Sequence, residues 1–332
     1  MGGAHLHCTC GAPQVQVLLP PSSKEFLPSP CGIPVAAPSG PSRGSPSGVL
    51  REGQGWGHEK GPSCSEGRRD WSQGVAPLKY IRPESIEQAL EQLASGVALG
   101  GGTTLAPRRN SLETVVDLQG LGLSDLEVAG GKVVAGAGCS LQQIVEAKGT
   151  MVEALVEACR REAAWNLRNM ATLAGAVLAC DGRSPLTTAL LAVGARAVLA
   201  GGEVIDLDDL LDRRPLAAGT LVTALQWKTK ATMRCEQVAR SPADRPIVAV
   251  AVGHTDGAAH RVVLAGFGDR PVRVARAEKA LAADDVRAAG EAAAEAYAEA
   301  GDAWASAEYR SHVASVLVRR LASGDKAPRE KG

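Results

Sequence analysis

The stretch from Arg168 to Pro185, RNMATLAGAVLACDGRSP, limits what this chain can fold into more than any other. Two short apolar runs are interrupted by Ala171, Ala174, Gly175, Ala176 and Ala179, so little side chain stands between the backbone and its neighbours. Gly175 can take dihedrals that a Cβ forbids. The run ends on Asp181, Gly182, Arg183, Ser184 and Pro185, which supply charge, a hydroxyl and a turn. Small residues followed by a polar corner suit a tight packing turn between buried elements. They also suit a flat ligand with a polar tail, although from this stretch alone the packing turn is favoured.

A second cluster lies upstream, where Ala98–Leu105 reads ALGGGTTL. Val97, Ala98 and Leu99 predict a strand end, and the three glycines predict the loop that follows it. Consecutive backbone N–H groups in such a loop form a concave anion site, and Thr103 and Thr104 add hydroxyls. The spacing is not G-x-G-x-x-G, and no G-x-x-x-x-G-K-[ST] follows. A Rossmann dinucleotide turn and a P-loop are both disfavoured.

Taken together, the two stretches resemble the FAD-binding subunit of the molybdenum hydroxylases, the xanthine dehydrogenase and carbon monoxide dehydrogenase group. The family loop A-G-G-T-D-L aligns to Gly100–Leu105, and R-N-x-A-T-I-G-G-N aligns to Arg168–Ala176. The opening Lys79-Tyr80-Ile81-Arg82-Pro83 and the closing Ser306-Ala307-Glu308-Tyr309-Arg310 fall in the same order, as does a landmark at Arg240, Asp244, Arg245 and Val248. The resemblance runs from about Leu78 to Ser323.

That resemblance implies an α+β architecture. A PCMH-type FAD-binding domain would span 78–230, with a small α/β subdomain over about 78–135 and a mixed or antiparallel α+β subdomain over 136–230. A C-terminal domain of antiparallel sheet and helices would span 231–325. It implies non-covalent FAD, with Leu99, Gly100, Gly101, Gly102, Thr103, Thr104 and Leu105 around the pyrophosphate. Thr172, Ala174, Gly175 and Ala176 would lie along the flavin. Ala174-Gly175-Ala176 replaces the family's G-G-N, Pro185 stands where an Asp binds the polar tail, and Thr104 stands where the loop often has Asp. Asp181 or Arg183 is expected to substitute for the lost contacts. The implied partners are a molybdenum-cofactor large subunit and a [2Fe–2S] small subunit, with an acceptor such as NAD. A flavin-free structural or assembly subunit of the same complex is the alternative.

The 332 residues carry no formal net charge, and Arg108-Arg109, Arg160-Arg161 and Arg319-Arg320 are scattered pairs without a basic stripe. Nucleic-acid binding is therefore not expected. No apolar run approaches the ~20 residues a membrane helix needs, and no secretory signal opens the chain. A cytoplasmic location with eight reduced cysteines is expected. No acid/base dyad of recognisable spacing, Ser/His/Asp order or zinc motif is evident, so any hard chemistry falls to a cofactor.

Residues 1–77 hold more than half of the 19 prolines and show no periodicity. They read as a disordered extension, or as upstream sequence translated from a misassigned start codon, and the second is favoured. His5-Leu6-His7-Cys8-Thr9-Cys10 lacks the paired spacing and second half of a structural zinc site. From Leu78 the pattern becomes orderly. Ser85 and Ser140 are placed to cap helices. Cys139 reads as a small core residue, since no histidine lies near it in sequence. Trp165 reads as a core anchor in preference to a lid. Asp206, Asp208, Asp209 and Asp212 alternate with leucines and read as a helix start with its acids in solvent. Along 304–321, Tyr309, Val313, Val316, Leu317 and Leu321 form a core stripe.

Overall fold

The computed structural model describes residues 7–8, 78–147, 151–241, 244–254 and 260–324. The expected extension over 1–77, including the His5–Cys10 run, lies outside the described residues, apart from a two-residue strand, β1 (His7–Cys8).

The first sheet is parallel, with order β2-β4-β3: β2 is Lys79–Ile81, β3 Val97–Leu99 and β4 Thr114–Asp117. Helix α1 (Ile86–Gln92) crosses between β2 and β3. Ser85 Oγ accepts from the Gln88 N–H at 3.3 Å, and Gln88 Oε1 accepts from the Glu84 N–H at 3.0 Å, so the helix start is satisfied from the sequence expected to cap it. The loop after β3 opens at the carboxyl end of the sheet and runs into a 3₁₀ turn at Ala106–Ser111. Ligands commonly bind at that end of a parallel sheet.

The second sheet is antiparallel, with order β5-β6-β9-β7-β8: β5 is Leu126–Ala129, β6 Lys132–Gly136, β7 Arg196–Leu199, β8 Val204–Asp206 and β9 Val222–Lys228. The sequence reading assigns the β5–β6 hairpin to the first subdomain. Strand pairing assigns it here instead, because Val133 sits opposite Trp227 and Ala135 opposite Leu225, and all four are buried in one core. Helices α2 (Leu141–Glu146), α3 (Glu153–Glu162), α4 (Trp165–Arg168), α5 (Leu173–Leu178), α6 (Pro185–Ala192) and α7 (Leu207–Asp212) belong to this part. Ser140 closes a capping box on α2 with Gln143. Cys139 is fully buried, and desolvation pushes its thiol up to about 11, which keeps it protonated and inert as expected of a core residue.

The third sheet has order β1-β10-β11-β12-β13, all antiparallel: β10 is Thr232–Ala239, β11 Val248–His254, β12 Arg261–Ala265 and β13 Val272–Arg273. Helices α8 (Ala275–Ala282), α9 (Val286–Ala296) and α10 (Ala307–Ser323) cover one face. The stripe on α10 holds, with Val313, Leu317 and Leu321 buried and Tyr309 packed alongside, whereas Val316 points out. α6 has Thr187 and Thr188 as its polar side chains, and all eight of its residues are buried. It shares one core with the other face of this sheet, through Ala251 and Val263, so the two folded parts are joined by packing as well as by chain.

Three acids that read as solvated are instead paired. Asp208 and Asp212 both bind Arg270, the first at 2.7 Å, and Asp206 binds Arg196 at 3.3 Å and Arg261 at 3.7 Å. Asp209 stays exposed with no ion pair among the described residues, and Asp212 is exposed although paired. The partners from the third sheet lie more than 50 residues further along, which local patterning cannot show. Trp165, expected in the core, is 63% exposed at the start of α4. That helix has only four residues and no buried face. Among the described residues no helix is long and apolar enough to cross a membrane.

Candidate functional site

The two small-residue stretches meet. An ideal Cβ built on Gly101 would lie 1.6 Å from the Met170 carbonyl oxygen, so only glycine allows the loop after β3 to press against the segment leading into α5. The same construction on Gly100 falls 2.6 Å from Thr172 Oγ1. Thr172 in turn caps α5, its hydroxyl accepting from the Gly175 N–H at 3.3 Å.

Beside this contact lies a cavity of about 570 Å³. Of the residues expected around a ligand, Gly100, Gly101, Gly102, Thr103, Thr104, Leu105, Thr172, Ala174 and Gly175 line it. Leu99 and Ala176 do not; the Ala176 N–H is spent within α5 on the Thr172 carbonyl at 2.9 Å. Among the described residues, the backbone N–H groups of Gly100 through Thr104 donate to no protein acceptor. Five adjacent free donors at the mouth of a cavity form an anion site. Gln119, also part of the lining, steadies the loop. Its Nε2 donates to the Gly100 carbonyl at 2.9 Å, and its own N–H is held by Asp117 Oδ1 at 2.9 Å. Asp117 is buried and also accepts from the Tyr80 hydroxyl.

Further lining comes from residues that the sequence does not single out, Arg214 and the segment through Val222, together with Leu123, Ser124, Ala137 and Gly138. Arg108 and Arg214 are the charged residues of the lining, and no carboxylate contributes to it. In a chain with no net charge, that lining is selectively positive.

Asp181 lies elsewhere. Its carboxylate binds Arg245 Nη1 at 2.7 Å and the Arg183 N–H at 2.9 Å. Arg183 reaches the Pro246 carbonyl at 2.9 Å and the Arg245 carbonyl at 2.6 Å, and its guanidinium stacks 4.7 Å from the Trp304 ring centre. Gly182 exchanges backbone hydrogen bonds with Gly268 and Gly266, at a spot where a Cβ would lie 1.8 Å from the Phe267 carbonyl. The polar corner is thus a seam against the third sheet. Pro185 opens α6 and is buried. Neither Asp181 nor Arg183 faces the cavity.

A buried cluster backs the corner. Glu162 Oε2 accepts from Ser184 Oγ at 2.7 Å and from the Leu186 N–H at 3.0 Å, and Arg245 approaches Oε1 at 3.4 Å. Desolvation nonetheless raises its carboxyl above the ordinary value, since those partners only partly offset burial.

An anionic molecule with an apolar body suits these residues: free backbone donors, apolar side chains, two arginines and no carboxylate. This defines a nucleotide-cofactor protein of α+β architecture. Residues 76–226 match the FAD binding domain in molybdopterin dehydrogenase, and residues 234–323 match the CO dehydrogenase flavoprotein C-terminal domain. The chain belongs to the FAD-binding subunits of the molybdenum hydroxylases, and FAD is the cofactor of that family. The uncharacterised protein YgfM of Escherichia coli strain K12 is 29% identical over 250 residues, which cover 73% of this chain and 94% of that one. Two solved structures share the fold. One, a cyanide-inactivated Cu,Mo-CO dehydrogenase, has 24% identity and a TM-score of 0.64, covering 74% of this chain and 96% of its own. The other, quinoline 2-oxidoreductase from Pseudomonas putida 86, has 20% identity and a TM-score of 0.64, covering 75% and 98%.

Proposed function

We propose that this chain is the electron-transfer subunit of a molybdenum-dependent dehydrogenase. It would hold FAD between a [2Fe–2S] small subunit, fed by a molybdenum-cofactor large subunit, and an external acceptor such as NAD. Bound FAD supplies a carrier that exchanges electrons singly and in pairs. This chain's own contribution is binding and environment. The free N–H groups of Gly100–Thr104 and the hydroxyls of Thr103 and Thr104 suit the diphosphate. Arg108 and Arg214 offset its charge. Leu93, Leu118, Leu123 and Leu178 give an apolar wall that excludes water. The observation that carries the reading is a cavity with five free backbone donors, two arginines and no carboxylate.

The test is an absorption spectrum of the purified full-length chain, before and after added FAD. Bands near roughly 370 and 450 nm, as for oxidised flavin, are expected. Anaerobic reduction followed by NAD⁺ then shows whether that acceptor reoxidises the protein. A colourless chain that takes up no FAD refutes the reading. It would favour the flavin-free assembly subunit, for which the burial of Pro185 in place of a tail-binding carboxylate is the supporting observation.

A further inference from the structure

We propose that Arg214 is the positioning residue of the cofactor cavity and the source of its fixed positive charge, an assignment that rests on the FAD reading above. The guanidinium is spent on backbone carbonyls from three segments. Nη1 donates to Cys180 O at 2.8 Å and Leu178 O at 3.2 Å, Nη2 to Asp269 O at 3.0 Å, and Nε to Leu211 O at 3.4 Å. Leu178 ends α5, the helix that presents Thr172, Ala174, Gly175 and Leu178 to the cavity. Asp269 belongs to the loop between β12 and β13. One planar group therefore joins the wall that α5 forms to the C-terminal domain, and Arg214 is among the residues that line the cavity.

Its charge is not neutralised. Arg214 forms no ion pair among the described residues, whereas the adjacent Arg213 pairs with Glu203 at 3.6 Å and lies off the cavity. Carbonyl dipoles hold the guanidinium in place, yet the full charge remains to attract an anionic ligand. The need for it is visible in the sequence. Ala176 and Pro185 offer no polar side chain and neither lines the cavity, and Asp181 and Arg183 are committed to the seam with the third sheet. Arg214 supplies a positive charge to the cavity lining from its seat at the end of α5. Lysine could carry the charge, but a single ammonium cannot span three carbonyl-bearing segments as a fork does.

The experiment uses full-length wild type, R214M, R214K and R213M, each stripped of flavin. FAD affinity is read from quenching of flavin fluorescence at low and high salt, and the midpoint potential of the bound flavin by spectroelectrochemistry. R213M should bind within twofold of wild type. R214M should bind about thirtyfold more weakly, the scale of a lost charge-assisted contact, with a shallower salt dependence and a lower potential. R214K should fall between, losing about fivefold because charge without the fork leaves α5 unanchored. R214M binding within twofold of wild type at an unchanged potential overturns the proposal. If R214M does not fold, R214K decides, and an affinity within twofold of wild type overturns it. Wild type that takes up no FAD overturns the proposed function, and this inference with it; wild type that binds while R214M matches it overturns Arg214 alone.

Discussion

Replacing Gly101 by alanine puts the meeting of the two small-residue stretches to a quantitative test. The new Cβ would sit 1.6 Å from the Met170 carbonyl oxygen and 2.5 Å from its carbon, where real Cβ contacts stay beyond about 3.0 Å. The loop or the segment before α5 must retreat by roughly 1.4 Å, and the obstacle is backbone, which no rotamer change relieves. Overpacking of this kind costs about 1–3 kcal/mol. A cost of about 2 kcal/mol lowers the melting temperature by roughly 4–8 °C in a domain of this size. The retreat also displaces the loop that carries the free N–H groups of Gly100–Thr104. One lost hydrogen bond to a charged phosphate costs about 1.5–3 kcal/mol, or about ten- to a hundredfold in FAD affinity. Gly100→Ala should be milder, since its Cβ meets the Thr172 hydroxyl at 2.6 Å and a side chain can rotate away. Thermal melts of the stripped proteins and fluorescence titrations with FAD measure both effects. G101A that melts with wild type and binds FAD as well as G100A would show that the two stretches are not appressed.

The buried Glu162 carboxyl gives a pH signature. Its folded value is raised, chiefly by desolvation, so its contribution to stability is complete below the ordinary 4.5 and is lost as pH climbs through the raised value. Glu162→Gln keeps an acceptor for Ser184 and Leu186 without the titration. The stability advantage of wild type over E162Q should therefore shrink as pH rises from about 4.5 towards neutrality; melts across that range in which the advantage grows would sink the assignment. Arg310, fully buried, donates to Ile247 O, Ala300 O and both oxygens of Asp302 at 2.7–3.1 Å. Arg310→Lys cannot serve all four acceptors, and urea denaturation should show a loss of about 2–3 kcal/mol; a loss too small to detect would mean the fork is not the anchor of the 300–306 turn.

What was legible in the sequence was what depends on neighbours within a few residues. Glycines after an apolar run gave the loop, and Ser85 and Ser140 stand where caps belong. Spacing along α10 gave its buried face. What failed depended on distant partners. Asp181 and Arg183 have the chemistry of a ligand corner, and only the position of Arg245 and Pro246, more than 60 residues on, turns them into a seam. Asp208 looks solvated until Arg270 is placed beside it. Arg214 carried no local signal, being one of two adjacent arginines after an acidic helix; its carbonyl partners come from α5 and from the loop before β13. Trp165 misled because a large aromatic residue is usually at least partly buried, while a four-residue helix offers no face on which to bury it.

The first sheet has a further bearing on the life of the protein. Among the described residues its own buried apolar side chains are Ala89, Leu93, Val115 and Val116, with Leu221 from the second part joining their cluster. A lobe of some 45 residues with so little interior is at the size where chains need a staple to fold. Leu93, Val97, Ala98 and Leu118 face the cavity, so a ligand there finishes the interior that the lobe lacks. Occupancy and local folding are then linked. In a cell short of flavin, the same residues would be open to proteases and chaperones. Turnover would track cofactor supply, and the pool of chains available for assembly would be enriched in those already loaded.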